Sequence, residues 1–347
     1  MTHRERVLAA IRHTTPDRVP VDAICIENAE SIGHLLGVPT ESVAAQLGID
    51  GRVVAAGYSG ERPVRQGRTL SVWGTEDDND YGTTHTYPLG AAGTVAEVDR
   101  YRWPDPAGFD FDALRVSLQQ GVGEVALRGP YWVSGPLLCT ACNLMGMEEA
   151  MVKMLTDPAV FEACVENVYQ FSLGYIERFI EAVGSRLDIL YLADDFASQR
   201  GLIMDPEHWR RFLKPRYAKL FAVGKRLGIP VWFHSCGDVT AVLPDLIEIG
   251  MDVWETVQLH ALPMTPKDLK ERYGSQITFF GGVNTQFLPF KTPAEVTEEV
   301  HRCIDMLGEG GGYICGPDHH VKPDVPAANA VALFEAARGY RRPGITL

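Results

Sequence analysis

The chain has 347 residues, 46% of them hydrophobic and 22% charged, and its net charge at pH 7 is −13. That acidity excludes a nucleic-acid binder working through phosphate contacts. No apolar run approaches the ~20 residues of a membrane helix, and the opening MTHRERVLAAIRHTTPDR lacks an apolar leader core and a cleavage signal, so a cytoplasmic protein is expected.

The first strand expected is RVPVDAICIE (18–27), and RVVAAG (52–57) reads as a second. Residues 58–120 interrupt the pattern. WGTEDDNDYGTTHTYPLG (73–90) is rich in Gly, Asp, Asn and Thr and reads as a hairpin or long excursion inserted after the first unit. EVALRGP (124–130) resumes the strands. From about residue 150 onward, nearly continuous apolar runs alternate with longer stretches of helical spacing. The runs are LDILYLADD (187–195), IPVWFHSCG (229–237), MDVWETVQ (251–258), ITFFGGVN (277–284) and GGYICGP (311–317). Continuous apolar strands are what a parallel sheet buried on both faces requires. Helix starts are marked by Asp157-Pro158, by Asp205-Pro206 and by the capping box Thr292-Pro-Ala-Glu295. Repeated β-α units at this length predict one distorted (β/α)8 TIM barrel over residues 1–347. A doubly wound open sheet is the alternative, but no G-x-G-x-x-G follows the first strand.

A parallel barrel places its site at the carboxyl ends of its strands. Those ends carry Glu27-Asn28, Arg128, Asp194-Asp195, His234 with Cys236, Glu255, Asn284, and Cys315 followed by Asp318-His319-His320. Glu27, Asn28 and Asn284 are expected to contact substrate, and Asp194, Asp195 and His319 to do acid–base work. The equal alternative for the aspartates is helix capping at a strand-to-helix turn. The seven cysteines are odd in number and scattered, which argues against a disulfide framework. Cys139-Thr-Ala-Cys142 has no second half of a zinc site and reads as packing in a helix. His234-x-Cys236 and Cys315, by contrast, supply one nitrogen and two thiolates from two strand ends. Zinc accepts such a set and keeps a fourth position for a carboxylate such as Glu255 or Asp195, or for water.

Four segments of the carboxyl half, LADDFASQRGLIMDPEHWRRFLKPRYAKL, FHSCGDVTAVLPDLIEIGMDV, FFGGVNTQFLPFKTPAEV and GGYICGPDHHVKPDVPAANAVALFEAAR, resemble the uroporphyrinogen decarboxylase superfamily. The resemblance is dense over about 120–340 and implies a distorted (β/α)8 barrel. Decarboxylases of the family carry an arginine-rich segment near the amino terminus that grips the substrate carboxylates; VDAICIENAESIG (21–33) has no arginine. The chain is more similar to the cobalamin-linked methyltransferase branch, in which a His-x-Cys and a distant Cys bind zinc. That resemblance assigns the metal to His234, Cys236 and Cys315. It matches His319 to a histidine kept by the decarboxylases. It implies methyl transfer between a corrinoid on a partner protein and a small thiol or methylated sulfur or oxygen compound. A metal-free decarboxylase or lyase using Asp194, Asp195 and His319 is the second expectation, a small-molecule binding protein the third, and a homodimer is left open.

Overall fold

A computed structural model describes residues 1–76, 86–121 and 123–340. Seven parallel strands form one sheet whose spatial order follows the chain. They are β1 (Gly51–Val53), β2 (Ala126–Pro130), β3 (Ile189–Ala193), β4 (Val231–His234), β5 (Val253–Val257), β6 (Thr278–Val283) and β7 (Tyr313–Pro317). Five of these lie inside the five apolar runs of the carboxyl half. The eighth position is filled by the segment around Val21. Asp22 N donates to Cys315 O at 3.1 Å and Cys315 N to Pro20 O at 2.9 Å on one side. On the other, Asp50 N donates to Val21 O at 2.8 Å. The sheet thus curls and closes as a TIM-type α/β barrel.

The strand expected over 18–27 is therefore reduced to isolated bridges at Val21 and Ile26. Two residues explain it. Pro20 has no N–H to give a ladder. Ala23 N–H is taken at 2.7 Å by the side chain of Asp22 instead of by a neighbouring strand. The inserted region holds a short hairpin, Val64–Arg65 with Arg68–Thr69, and the helices Val95–Asp99 and Phe111–Gln119 before the chain re-enters the sheet at β2. The middle of the 73–90 excursion lies outside the described residues.

Helices cover the outside of the sheet. α3 (Pro158–Val183) and α4 (Pro293–Leu307) begin with proline in the first turn and Thr292 forms a full capping box with Glu295, but the Asp157 side chain makes no capping hydrogen bond. Helix α1 (His3–Ile11) closes the foot of the barrel, where Val7, Leu8 and Ala10 pack beneath Ile189, Tyr191, Trp232, Phe280 and Ile314. Buried Asp50 holds it there, accepting from Arg6 Nη1 (2.6 Å), Arg18 Nη1 (2.8 Å) and Val21 N (2.8 Å). Between foot and mouth, side chains alternate, up to a register shift beside β5 beyond which Val257 joins Trp254 in the outer layer. Arg128, Tyr191, Trp232, His234, Glu255, Phe280 and Ile314 face in; Leu192, Phe233, Trp254, Phe279 and Cys315 face the helices.

Candidate metal centre at the barrel mouth

The last inward position of β4 is His234. Its neighbour Phe233 is bound to the outer layer by its contacts with Phe196, Tyr217 and Phe221, so the period of two turns the imidazole inward. The chain then leaves the sheet through Ser235 and Cys236. Gly237 makes the turn at φ +81°, where a Cβ would lie 2.5 Å from Ser198 O; no other residue fits that approach without moving the Ala197–Leu202 hairpin. Cys236 Sγ comes to 3.4 Å from His234 Nε2. From the loop that follows β3, Asp195 Oδ1 lies 3.7 Å from the same nitrogen and accepts from Cys236 N at 2.7 Å. One ligand atom from each of Asp195, His234 and Cys236 falls within 4.8 Å of the others.

The spacing suits a cation. Tetrahedral zinc with bonds of ~2.0–2.3 Å holds its ligand atoms ~3.3–3.7 Å apart, close to the two separations measured from His234 Nε2. The donor set of imidazole, thiolate and carboxylate is also one zinc accepts. The other imidazole nitrogen is already committed. His234 Nδ1 is 2.9 Å from Glu255 Oε1, whose carboxylate also accepts from Tyr191 Oη and, at 2.5 Å, from Trp232 Nε1. With Nδ1–H given to Glu255, Nε2 presents its lone pair to the mouth. Burial opposes a charge on His234, but the groups around it, Tyr131, Cys236 and Glu255 among them, outweigh burial and push its affinity for a proton well up. Burial pushes the Cys236 thiol up and His234 opposes that shift. Tyr131 and Trp132 close one wall, meeting the His234 ring edge to face at 5.6 and 6.2 Å.

His319 faces the same space, its ring centroid 6.5 Å from that of His234. Burial, then the neighbouring His234, lowers it to about 4, so at neutral pH it is an uncharged imidazole, with no hydrogen bond to another described residue.

The structure corrects three of the sequence expectations. Cys315 is not brought to the site. In β7 Ile314 lies in the barrel interior and Cys315, one residue on, is fully buried in the outer layer with Tyr313 and Cys303; burial pushes its thiol up to about 12. Glu255 does not face the open side of His234 but holds its far nitrogen. Asp194 points away from Asp195, into the helix layer. It accepts from Leu138 N (2.7 Å) and Cys139 N (3.0 Å) at the start of α2 (Leu137–Met145), and from Tyr217 Oη (2.6 Å). It anchors a helix, the capping alternative. The Cys139/Cys142 pair sits on that same helix, and burial raises both thiols.

The three residues expected at the substrate are spread around the rim. Glu27 is paired with His320 and Lys322, each at 2.9 Å. Asn28 is buried and donates to Val325 O at 2.7 Å. Asn284 accepts from Gln286 N at 2.9 Å and lines a separate cleft with His260, Phe287 and Arg302. Sequence reasoning passed over Tyr191, Trp232 and Asp22. For the two aromatics the signal was present: an aromatic with a polar tip at mid-strand needs a buried partner.

A family model for uroporphyrinogen decarboxylase (URO-D) matches residues 84–340. The chain belongs to the uroporphyrinogen decarboxylase family. Among its relatives is the methylcobamide:CoM methyltransferase MtaA of Methanosarcina barkeri, 23% identical, with 98% of each chain aligned. The methylated-thiol–coenzyme M methyltransferase of Methanosarcina mazei is 25% identical over 61% of this chain and 52% of that protein. The uroporphyrinogen decarboxylase of Geobacter metallireducens is 25% identical over 70% of this chain and 69% of that protein. Among solved structures, a methyltransferase from Methanosarcina mazei superposes with a TM-score of 0.68 at 21% identity, covering 97% of this chain and 98% of that one. At that identity the likeness establishes the fold. No helix among the described residues is long and apolar enough to cross a membrane.

Proposed function

We propose that this chain is a zinc-dependent methyltransferase that moves a methyl group between a corrinoid carried by a partner protein and a small thiol or methylated sulfur or oxygen compound. The observation that carries the reading is the convergence of His234, Cys236 and Asp195 at the mouth, at separations suited to one tetrahedral ion. The full-length relative named for methylcobamide and coenzyme M supports the reaction class. The ligand set proposed is His234 Nε2, Cys236 Sγ and Asp195 Oδ1, with Cys315 replaced by Asp195. His319 faces the same space, 6.5 Å from the His234 ring.

Held by His234, Cys236 and Asp195, a zinc ion would supply Lewis-acid chemistry that favours the thiolate form of a thiol substrate at neutral pH. The chain's own residues do the rest. Glu255 fixes the tautomer and direction of His234. Asp195 ties the loop after β4 to the loop after β3 through Cys236 N. Tyr131 and Trp132 exclude water from one side of the imidazole. His319, uncharged at neutral pH, can take or give the proton of an incoming thiol at its free nitrogen. A corrinoid would be brought to the mouth by its carrier protein.

The test is turnover. Purified protein with zinc, methylcobalamin and a panel of small thiols should show loss of methylcobalamin absorbance with formation of a thioether, or the reverse with cob(I)alamin and methylated donors. Cys236→Ser should abolish it. Activity that survives removal of zinc by a chelator, or a carboxylated substrate decarboxylated without metal, overturns the proposal.

A further inference from the structure

We propose that Tyr191 and Trp232, with the buried Asp22–Arg128 pair beneath them, are positioning residues of the metal centre: they hold the Glu255 carboxylate in one orientation and so set how tightly His234 grips a cation. This rests on the reading of His234, Cys236 and Asp195 as ligands.

Glu255 is fully buried at mid-strand. A bare carboxylate in that position is strongly disfavoured unless it is hydrogen-bonded and faced by positive charge. Each requirement is met by a residue whose side chain the strand alternation turns inward. Tyr191 on β3 and Trp232 on β4 donate to its two oxygens, one each, and His234 shares the first. Donors on both oxygens fix the plane of the carboxylate, and that plane aims His234.

The positive charge comes from one layer below. Arg128 on β2 is fully buried, and its guanidinium carbon lies 4.8 Å from the Trp232 ring centroid and 5.3 Å from that of Tyr191. A cation against those ring faces draws density from them and strengthens the hydrogen bonds that the Tyr191 hydroxyl and Trp232 indole N–H donate to Glu255. Arg128 is held by Asp22, through both terminal nitrogens, and by Ala23 O at 3.2 Å. Gly51 leaves the room: a Cβ there would collide with both members of the pair. The two acids and the arginine form a closed charge set running from the foot of the barrel to the imidazole. A change at its base, Asp22, reaches His234 through four contacts in series.

Zinc affinity, measured by competition with a chromophoric chelator, reads this without any turnover. Tyr191→Phe and Trp232→Phe should each weaken binding about tenfold, the lower end of the range for outer partners of a metal-bound histidine. They should also shift the visible spectrum of the cobalt(II)-substituted protein, while circular dichroism shows the fold retained. The discriminating arm repeats Tyr191→Phe in a Glu255→Gln background, where the loss should fall below twofold because its route runs through the carboxylate. Asp22→Asn combined with Arg128→Gln, which removes both charges together, should weaken zinc at least threefold. Equal loss from Tyr191→Phe in both backgrounds marks a general packing effect and overturns the proposal. So does unchanged affinity in the single aromatic variants or in the Asp22/Arg128 double variant. Wild-type protein that takes up no zinc overturns the ligand reading instead, a separate result.

Discussion

Replacing Asp194 by alanine should cost stability and leave the metal centre's chemistry in place. The side chain is fully buried and accepts three hydrogen bonds, from two backbone amides at the start of α2 and from Tyr217. Truncation strands all three donors without water, at ~1–3 kcal/mol each. Burial raises the carboxyl's pKa, so part of that loss is offset because the carboxylate's own desolvation cost disappears. The balance is about 3 kcal/mol, within the range for a broken buried network. At an m-value of about 3 kcal/mol per molar urea, that moves the unfolding midpoint down by about 1 M. The assay is urea unfolding followed by circular dichroism, with zinc content measured on the same samples. Zinc should stay near one per folded chain. An Asp194→Ala protein as stable as wild type but unable to bind zinc or turn over would refute the assignment of Asp194 to helix anchoring.

Two further outcomes follow from the same geometry. Gly237→Ala forces a left-handed residue to carry a Cβ 2.5 Å from Ser198 O; a loss of about 2–3 kcal/mol is expected in urea unfolding, together with weaker zinc binding because Cys236 is the preceding residue. For the metal-free protein, burial holds His319 near 4 in the folded state against 6.5 in the unfolded chain. The unfolded chain then binds the extra proton between those values, so this contribution is fully present above about 6.5 and is lost as pH falls toward 4. Thermal melts across pH 4–7 should show a shallower acid loss for His319→Asn than for wild type, and identical slopes contradict the placement of His319 in a buried neutral state.

The barrel was legible because its strands are buried on both faces and therefore read as unbroken apolar runs; β3 to β7 fall inside the runs that mark them. The first strand misled because Pro20 and the Asp22 side chain divert the very N–H groups a ladder needs, and neither effect changes hydropathy. The site was half legible. His234 and Cys236 were found from their place at a strand end. Cys315 was misplaced by ignoring parity: it shares a face with Tyr313, not with Ile314, and so turns to α4 and Cys303. The roles of Tyr191, Trp232 and Arg128 depend on which strands become neighbours, something a one-dimensional pattern does not carry.

The most direct test is zinc stoichiometry by mass spectrometry on protein purified without chelators, for wild type, Cys236→Ser and Cys315→Ser. The account predicts about one zinc per chain in wild type, little in Cys236→Ser, and the wild-type amount in Cys315→Ser, whose cost is confined to stability through a hydroxyl buried in the outer layer. Loss of zinc in Cys315→Ser with its fold intact, or retention in Cys236→Ser, would contradict it.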